Sequence, residues 1–166
     1  NVTAHYAAAA QPSLENISFT AKPGQTIGVI GGTGSGKTTL VNLIPRLYDP
    51  SQGTVLIDGR SAEDYDFISL RQSIGVVPQK AVLFKGTIRQ NLKWGNENAS
   101  EEDLWQALET AQAREVVKDK EGELDAPVEQ GGVNFSGGQR QRLTIARALV
   151  RKPRILILDD SASALD

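Results

Sequence analysis

A glycine-rich turn is the feature that most restricts how this chain can fold. Residues 31–38 read GGTGSGKT, after the apolar run TIGVI at 26–30 and before a segment with helical periodicity. A short apolar run bounded by glycines is typical of a strand buried in a parallel sheet. The order strand, glycine-rich turn, helix therefore predicts an α/β fold with this turn at the edge of the sheet.

The residue types in the turn suit a phosphate chain. Glycines let backbone N–H groups turn inward into an anion-binding nest, and the start of the helix adds positive potential. Lys37 is placed to reach the β- and γ-phosphates, and the Thr38 hydroxyl to ligate Mg²⁺. An ordinary βα turn would not need this full pattern, so we predict binding of a nucleoside triphosphate. The predicted binding residues here are Gly31, Gly32, Thr33, Gly34, Ser35, Gly36, Lys37, Thr38 and Thr39.

Two adjacent carboxylates follow an apolar run near the end of the sequence. The segment RILILDD ends in Asp159 and Asp160, and its aliphatic residues predict a buried strand. A carboxylate at such a strand end orders Mg²⁺ in nucleotide sites that contain the glycine-rich turn. An acidic residue after a strand is common by itself, but beside the turn it predicts Asp159 as a metal ligand.

Composition excludes several other classes of protein. A length of 166 residues with 39% hydrophobic and 23% charged residues indicates one globular domain. The net charge of −2 gives no basic footprint for nucleic acid, and no apolar run is long enough to span a bilayer. Without cysteine, no disulfide framework is expected. Without methionine, we expect a piece of a longer protein.

Turn and periodicity signals place the other elements. LENISFTA and QTIGVIG predict two strands joined by a Pro23-Gly24 turn, and SIGVVPQ a further strand. Pro45 predicts that the helix after the turn ends nearby. Ser100 and Asp103 predict a capped helix over SEEDLWQALET. In the helix QRQRLTIARALVRK, three arginines are predicted on a solvated face: Arg140, Arg147 and Arg151.

The segment NFSGGQRQR resembles the signature motif of ABC ATPases, whose usual form is LSGGQ, with Phe135 in place of the leucine. A serine and two glycines at the start of a long helix form a second phosphate cradle. The chain's own glycine-rich turn already holds phosphates, so this cradle suits a nucleotide held by another subunit. The resemblance implies the same arrangement, with two domains packed head to tail around ATP. The signature residues are Ser136, Gly137, Gly138 and Gln139.

Other segments extend the resemblance over nearly the whole chain. It implies that Tyr6 stacks on adenine, that Gln79 reaches the Mg²⁺ and the attacking water, and that SALD at 163–166 crosses the dimer interface. His5, the one histidine, precedes the turn and is expected to be an exposed bystander; the family's switch histidine would follow residue 166. The implied fold is a three-layer P-loop NTPase core with an N-terminal antiparallel β subdomain and an inserted α-helical subdomain.

The resemblance also implies three regions and a set of partners. Residues 1–78 are expected to form the β subdomain and the first part of the ATP-binding core, 79–138 the helical subdomain with the signature, and 139–166 the return to the core. VVPQKAVLFKGTIRQNL resembles the multidrug-exporter branch, in which this segment touches the transmembrane domains. That implies a membrane transporter with this domain at the cytoplasmic face of the cell membrane.

Two other classes fit less well. Soluble ABC ATPases of DNA repair insert a long coiled coil before the signature, and no heptad run lies between Lys37 and Ser136. Soluble ABC factors of translation are compatible with the spacing, although LFKGTI favours an exporter. A GTPase switch would need a guanine-reading N-K-x-D element, which the sequence lacks.

Residue 160 is where the sequence departs from the family pattern. ABC ATPases that hydrolyse ATP efficiently usually carry glutamate at this catalytic position, and this chain carries Asp160. Together with Gln79, Asp160 is the predicted catalytic residue. The shorter side chain predicts slow or absent hydrolysis in this chain's own site. An intact signature beside it suggests a heterodimer with a non-identical partner, and a homodimer that works at reduced rate is the alternative.

Overall fold

The computed structural model describes residues 1–5 and 11–159. Tyr6, Asp160 and the SALD segment lie outside the described residues. The chain forms two compact units, Asn1–Arg71 and Gln72–Asp166. The division into 1–78, 79–138 and 139–166 stays a prediction.

The first unit has short strands and two short helices around a small apolar core. Strands β1 and β2 pair antiparallel, and β3 and β4 form a tight hairpin. Val2, Ala4, Leu14 and Leu43 form the buried core. His5 is exposed, as predicted. The elements are β1 (Val2–Ala4), β2 (Leu14–Ile17), α1 (Lys37–Leu43), β3 (Leu56–Ile57), β4 (Arg60–Ser61) and α2 (Phe67–Gln72).

The strand predicted at 26–30, one turn after β2, does not form. The turn between them does form, with Gly24 at φ 78° and the Gln25 N–H donating to the Lys22 carbonyl at 3.0 Å. However, β2 pairs with β1, and 26–30 pairs with no strand among the described residues. Ile30 is 99% exposed. An apolar run becomes a strand only where a neighbouring backbone takes up its hydrogen bonds.

The second unit joins a parallel strand pair to four helices. Strands β5 and β8 are parallel, and β6 and β7 antiparallel. No helix in the described ranges is both long and apolar enough to cross a bilayer. The elements are β5 (Ile74–Val77), β6 (Gly86–Thr87), α3 (Ile88–Lys93), α4 (Glu101–Thr110), α5 (Arg114–Lys118), β7 (Pro127–Val128), α6 (Gly137–Leu149) and β8 (Ile155–Leu158).

Reciprocal caps begin three of these helices. In α4, the Ser100 hydroxyl accepts from the Asp103 N–H at 3.1 Å, and the Asp103 carboxylate accepts from the Ser100 N–H at 3.0 Å. The predicted cap is therefore confirmed. Thr87 caps α3 and Ser136 caps α6 in the same way. Each cap satisfies N–H groups that the helix itself leaves unpaired, which contributes about 1 kcal/mol.

Candidate nucleotide-binding site

The glycine-rich turn ends in a backbone conformation that favours glycine. Gly36 is the N-cap of α1 and has φ 87°, in the left-handed region. A Cβ at this position would lie 2.5 Å from the Ser13 carbonyl oxygen. Gly34, also left-handed at φ 80°, turns the chain just before it. The sequence of small residues thus determines the sharp entry into α1, which begins at Lys37 and ends before Pro45, as predicted.

Lys37 folds back over this turn. Its Nζ donates to the carbonyl oxygens of Gly31 at 2.5 Å and Gly32 at 2.9 Å. A Cβ on Gly31 would collide with the Ser35 hydroxyl, so the loop closes tightly on itself. A closed backbone loop with an ammonium group held across it fits a phosphate chain. That this turn is the phosphate cradle stays a prediction.

The two threonines after Lys37 lie in different surroundings. Thr38 is exposed in the first turn of α1, where its hydroxyl can reach a metal ion bound to phosphates. Thr39 is 8% exposed and lies inside the unit. A contact between Thr39 and nucleotide stays a prediction, as does each individual residue assignment in the turn.

Asp159 and Gln79 lie at the same edge of the parallel strand pair. Val77 and Leu158 are register partners in β5 and β8, and the Asp159 N–H donates to the Val77 carbonyl at 2.9 Å. Asp159 therefore directly follows β8, while Gln79 follows β5 by two residues. Ligands bind at the carboxyl ends of parallel strands in α/β folds. Carboxylate and amide oxygens suit Mg²⁺, so this edge fits the metal.

The signature residues form the start of α6. Ser136 is the N-cap: its hydroxyl accepts from the Gln139 N–H at 3.2 Å, and the Gln139 amide oxygen accepts from the Ser136 N–H at 3.0 Å. Ser136 and Gly137 are exposed, so the positive end of this helix of 13 residues is open to an anion. Phe135, by contrast, is 4% exposed and lies in the apolar core. The residue before the signature serine is thus a packing residue, which explains why phenylalanine can replace leucine.

A phosphate turn, a carboxylate at a strand end and a capped signature helix point to one family of nucleotide-binding proteins, and comparison with known proteins decides it. The family model described as ABC transporter matches residues 14–163. The chain belongs to the ABC transporter family.

Individual relatives agree with this assignment. The ABC domain is 49% identical over its whole length to the uncharacterized ABC transporter ATP-binding protein YfiB of Bacillus subtilis, covering 29% of that protein. It is 46% identical over its whole length to an ATP-dependent lipid A-core flippase of Methylobacillus flagellatus, again 29% of that protein. The chain thus spans less than a third of the relatives that it matches.

A solved structure supports the fold. The ABC domain superimposes on a bacterial Atm1-family ABC exporter with ATP bound with a TM-score of 0.92, at 36% identity, over 99% of this chain and 29% of that chain. The predicted α/β P-loop NTPase fold is confirmed. The chain is an ATP-binding domain of the ABC type.

Arg140 and Arg147 of α6 and Arg151 just after it do not form a solvated row, contrary to the prediction. Arg140 donates to the Phe135 carbonyl at 2.6 Å, and Arg151 donates to the Gly95 carbonyl at 3.0 Å. The Arg147 guanidinium lies 5.5 Å from the Phe84 ring centre, and burial lowers its pKa. Helical periodicity alone does not show that two distant loops of the ABC domain fold against this face.

An exposed aromatic pair was missed by the sequence analysis. The rings of Phe84 and Trp94 stack with centroids 4.5 Å apart and planes 16° apart. Phe84 is 39% and Trp94 64% exposed. Phe84 lies inside the segment that resembles exporters, and Trp94 lies two residues after the end of that segment. Their stacking could have been suspected from two aromatic residues flanking one short helix, α3.

Proposed function

We propose that this ABC domain is the motor of an exporter in which ATP drives transport through transmembrane domains at the cytoplasmic face of the membrane. Support comes from relatives whose names describe a flippase and an exporter. The exposed Phe84–Trp94 stack supports a protein partner at this surface, because large aromatic side chains are enriched at interfaces. Replacing Trp94 by alanine in the intact transporter is expected to lower transport more than ATP binding, whereas equal loss of both would contradict a coupling role.

In this proposal the described residues divide the work on ATP. Lys37 and the backbone N–H groups of the glycine-rich turn hold the phosphates, while Thr38 and Asp159 hold Mg²⁺. The metal, when bound, neutralises negative charge on the phosphates. Gln79, at the same edge as Asp159, orients the attacking water. Tyr6, outside the described residues, is proposed to stack on adenine.

The signature is proposed to serve a second nucleotide-binding domain. Its cap leaves Ser136 and Gly137 exposed, while Lys37 belongs to the chain's own glycine-rich turn. ATP would lie between one domain's phosphate turn and the other domain's signature. Each chain therefore contributes different residues to two nucleotide sites. One chain can hold a site that hydrolyses ATP slowly and, through its signature, complete a site on the partner that hydrolyses ATP well.

Asp160 is the observation that carries the finer proposal. A residue that aligns water acts by position, and aspartate is one methylene shorter than the usual glutamate. A misplacement of about 1 Å can cost on the order of 10²-fold in rate. We infer that this chain binds ATP in its own site and hydrolyses it slowly, while its signature completes a competent site on a non-identical partner that carries the glutamate.

Three variants of the intact complex test this inference. Asp160→Asn should leave most ATPase activity, whereas Ser136→Arg should abolish it by blocking the cradle for the partner's nucleotide. Replacing the partner's catalytic glutamate by glutamine should abolish activity too. If Asp160→Asn alone silences the complex, the homodimer that works with aspartate is the correct reading.

A further inference from the structure

Gln141 is a buried polar residue whose amide nitrogen lacks a hydrogen-bond partner among the described residues. It lies in the second turn of α6, is 2% exposed, and its Nε2 is fully enclosed without a hydrogen-bond partner among the described residues. A donor left unpaired inside a protein costs free energy comparable to a lost hydrogen bond. The neighbouring Thr144 is equally buried, but its hydroxyl donates to the Arg140 carbonyl at 2.9 Å within the helix. Arg142 and Arg147 of the same helix also have one enclosed nitrogen without a partner among the described residues, but Gln141 is the more deeply buried residue and the uncharged one. Its position therefore needs an explanation.

Helix geometry shows which part of the sheet Gln141 approaches. A Cβ on Gly75 would lie 3.3 Å from the Ala148 carbonyl oxygen, so α6 packs on β5 at that level. Gln141 is two helical turns before Ala148 and shares its face, because seven residues fall only about 20° short of two full turns. The chain reverses at Pro153 between α6 and β8, which is parallel to β5. The start of α6 therefore lies toward the carboxyl end of β5.

The distance along the helix matches the distance along the strand. Two turns of helix advance about 10.5 Å, and three residues of strand advance about 10 Å. Pro78 lies three residues beyond Gly75, so Gln141 lies level with the start of the loop 78–84, which contains Gln79. That segment also ends against α6. Phe84 lies under Arg147, while Leu83 and Arg140 both contact the space beside Gly132.

The middle of this segment offers acceptors. The backbone of residues 80–82 makes no hydrogen bond to any other described residue. An enclosed amide without an acceptor thus lies beneath a loop whose carbonyl groups have no protein donor. The end of the loop at Leu83 and Phe84 is held against α6, so an inward movement of the middle of the loop would bring a carbonyl toward Gln141.

We propose that Gln141 is a positioning residue that donates to a carbonyl of residues 80–82 when ATP engages Gln79. The bond ties the loop of this chain's own nucleotide to the helix that carries the signature. Because the signature serves the other nucleotide, ATP in the chain's own site then steadies the cradle for the partner's ATP. This inference rests on the proposed ATPase function of the complex.

The decisive variant is Gln141→Met in the intact complex, since methionine has nearly the same shape and no donor. We expect kcat for ATP hydrolysis to fall by about five-fold, the equivalent of one hydrogen bond. KM and ATP affinity should stay within about two-fold, and the melting temperature should be unchanged or higher. Thr144→Val is the matched control, because it removes an equally buried polar group on the same helix, and its kcat should equal that of the wild type.

Wild-type kcat in Gln141→Met would overturn the inference. So would a loss of activity that runs parallel to a lower melting temperature, or an equal loss in Thr144→Val, since either indicates a merely structural role. A wild-type complex without ATPase activity would overturn the proposed function and this inference with it. An independent measurement is amide hydrogen exchange of residues 80–82, which reports how ordered this loop is. ATP should slow this exchange more in the wild type than in Gln141→Met, because the variant lacks the bond that holds the loop. Equal slowing in the two proteins would also overturn the proposal.

Discussion

The backbone N–H of Asp159 donates to the Val77 carbonyl oxygen at 2.9 Å, one step past the register pair of Val77 and Leu158. The strand ladder therefore continues to the residue that carries the predicted metal ligand. Because the main chain of Asp159 makes this bond, a substitution of its side chain leaves the bond to Val77 in place. Gln79 begins its loop from the same strand edge, so the ladder also positions the residue predicted to orient water.

Asp159→Asn is therefore expected to lower the Mg²⁺-dependent part of ATP affinity without unfolding the protein. An amide in place of the carboxylate removes the negative charge that would bind Mg²⁺. We expect ATP affinity in the presence of Mg²⁺ to fall by about ten-fold or more, as for the loss of a bond to a charged group. Calorimetry with and without Mg²⁺ measures this, with Asp119→Asn as an exposed control. An equal loss of affinity in the absence of Mg²⁺ would contradict the metal-ligand assignment.

Lys37→Ala is expected to remove most ATP binding. The Lys37 ammonium group donates to the turn's own carbonyls, at Gly31 and Gly32, and phosphates offer it a stronger, charged acceptor. Loss of a bond of this kind weakens binding by about ten- to hundred-fold. The measurement is calorimetric titration with ATP. It compares the ATP affinity of Lys37→Ala with that of the control Lys22→Ala, which replaces an exposed lysine. Unchanged ATP affinity in Lys37→Ala would contradict the assignment of the nucleotide site.

The parts of this fold that could be predicted are those determined by local chemistry. The cap formed by Ser100 and Asp103, the end of α1 before Pro45, and the glycine-rich entry to α1 depend on residues a few positions apart. The common edge of Asp159 and Gln79 could also be predicted, because apolar runs ending in polar residues indicate parallel strands. All of these need only sequence spacing and the conformational limits of glycine and proline.

The parts that could not be predicted depend on long-range partners. The run at 26–30 has the composition of a strand, yet its pairing depends on which backbone lies beside it. Arg147 has the spacing of a surface residue, but Phe84, far away in sequence, covers it. Gln141 likewise has the polar character of a surface residue of the signature helix, yet it is 2% exposed. Tyr6 and Asp160 lie outside the described residues, so their roles stay predictions.

Acid should weaken the contact between Asp103 and Lys152. The Lys152 Nζ lies 2.6 Å from the Asp103 carboxylate, which with the Ser100 cap lowers the pKa of Asp103 to about 2. A depressed folded pKa means that this stabilisation is present above the unfolded value near 3.8 and is lost as pH falls toward about 2. Thermal melts from pH 6 to pH 2 should therefore show a shallower acid decline in Asp103→Asn than in the wild type. The neighbouring Glu102→Gln should retain the wild-type profile, and identical profiles for all three would contradict this assignment.

Phe135 should behave as a core residue and not as part of the phosphate cradle. It is 4% exposed, and the Lys120 ammonium group lies 4.9 Å from its ring centre. Phe135→Leu, the usual residue of the family, should cost less than about 1.5 kcal/mol in the free energy of unfolding. Phe135→Ala should cost about 3–5 kcal/mol because it leaves a cavity. Denaturant melts measure both, and full stability in Phe135→Ala would show that the ring does not support the core.

Gly95→Ala should separate the link after α3 from α6. A Cβ on Gly95 would collide with the Arg147 carbonyl oxygen, which is backbone and cannot swing aside as a side chain would. The Gly95 carbonyl also accepts from Arg151 at 3.0 Å, so a shift that relieves the collision stretches that bond. Overpacking of this kind costs about 1–3 kcal/mol, or a fall of roughly 2–4 °C in melting temperature per kcal/mol for a protein of about this size.

Gly28→Ala is the matched control, since its Cβ would meet nothing within 4 Å. Because Trp94 directly precedes Gly95, tryptophan fluorescence should change in Gly95→Ala and not in Gly28→Ala. A Gly95→Ala variant with wild-type stability and fluorescence would show that the link and α6 do not pack this closely.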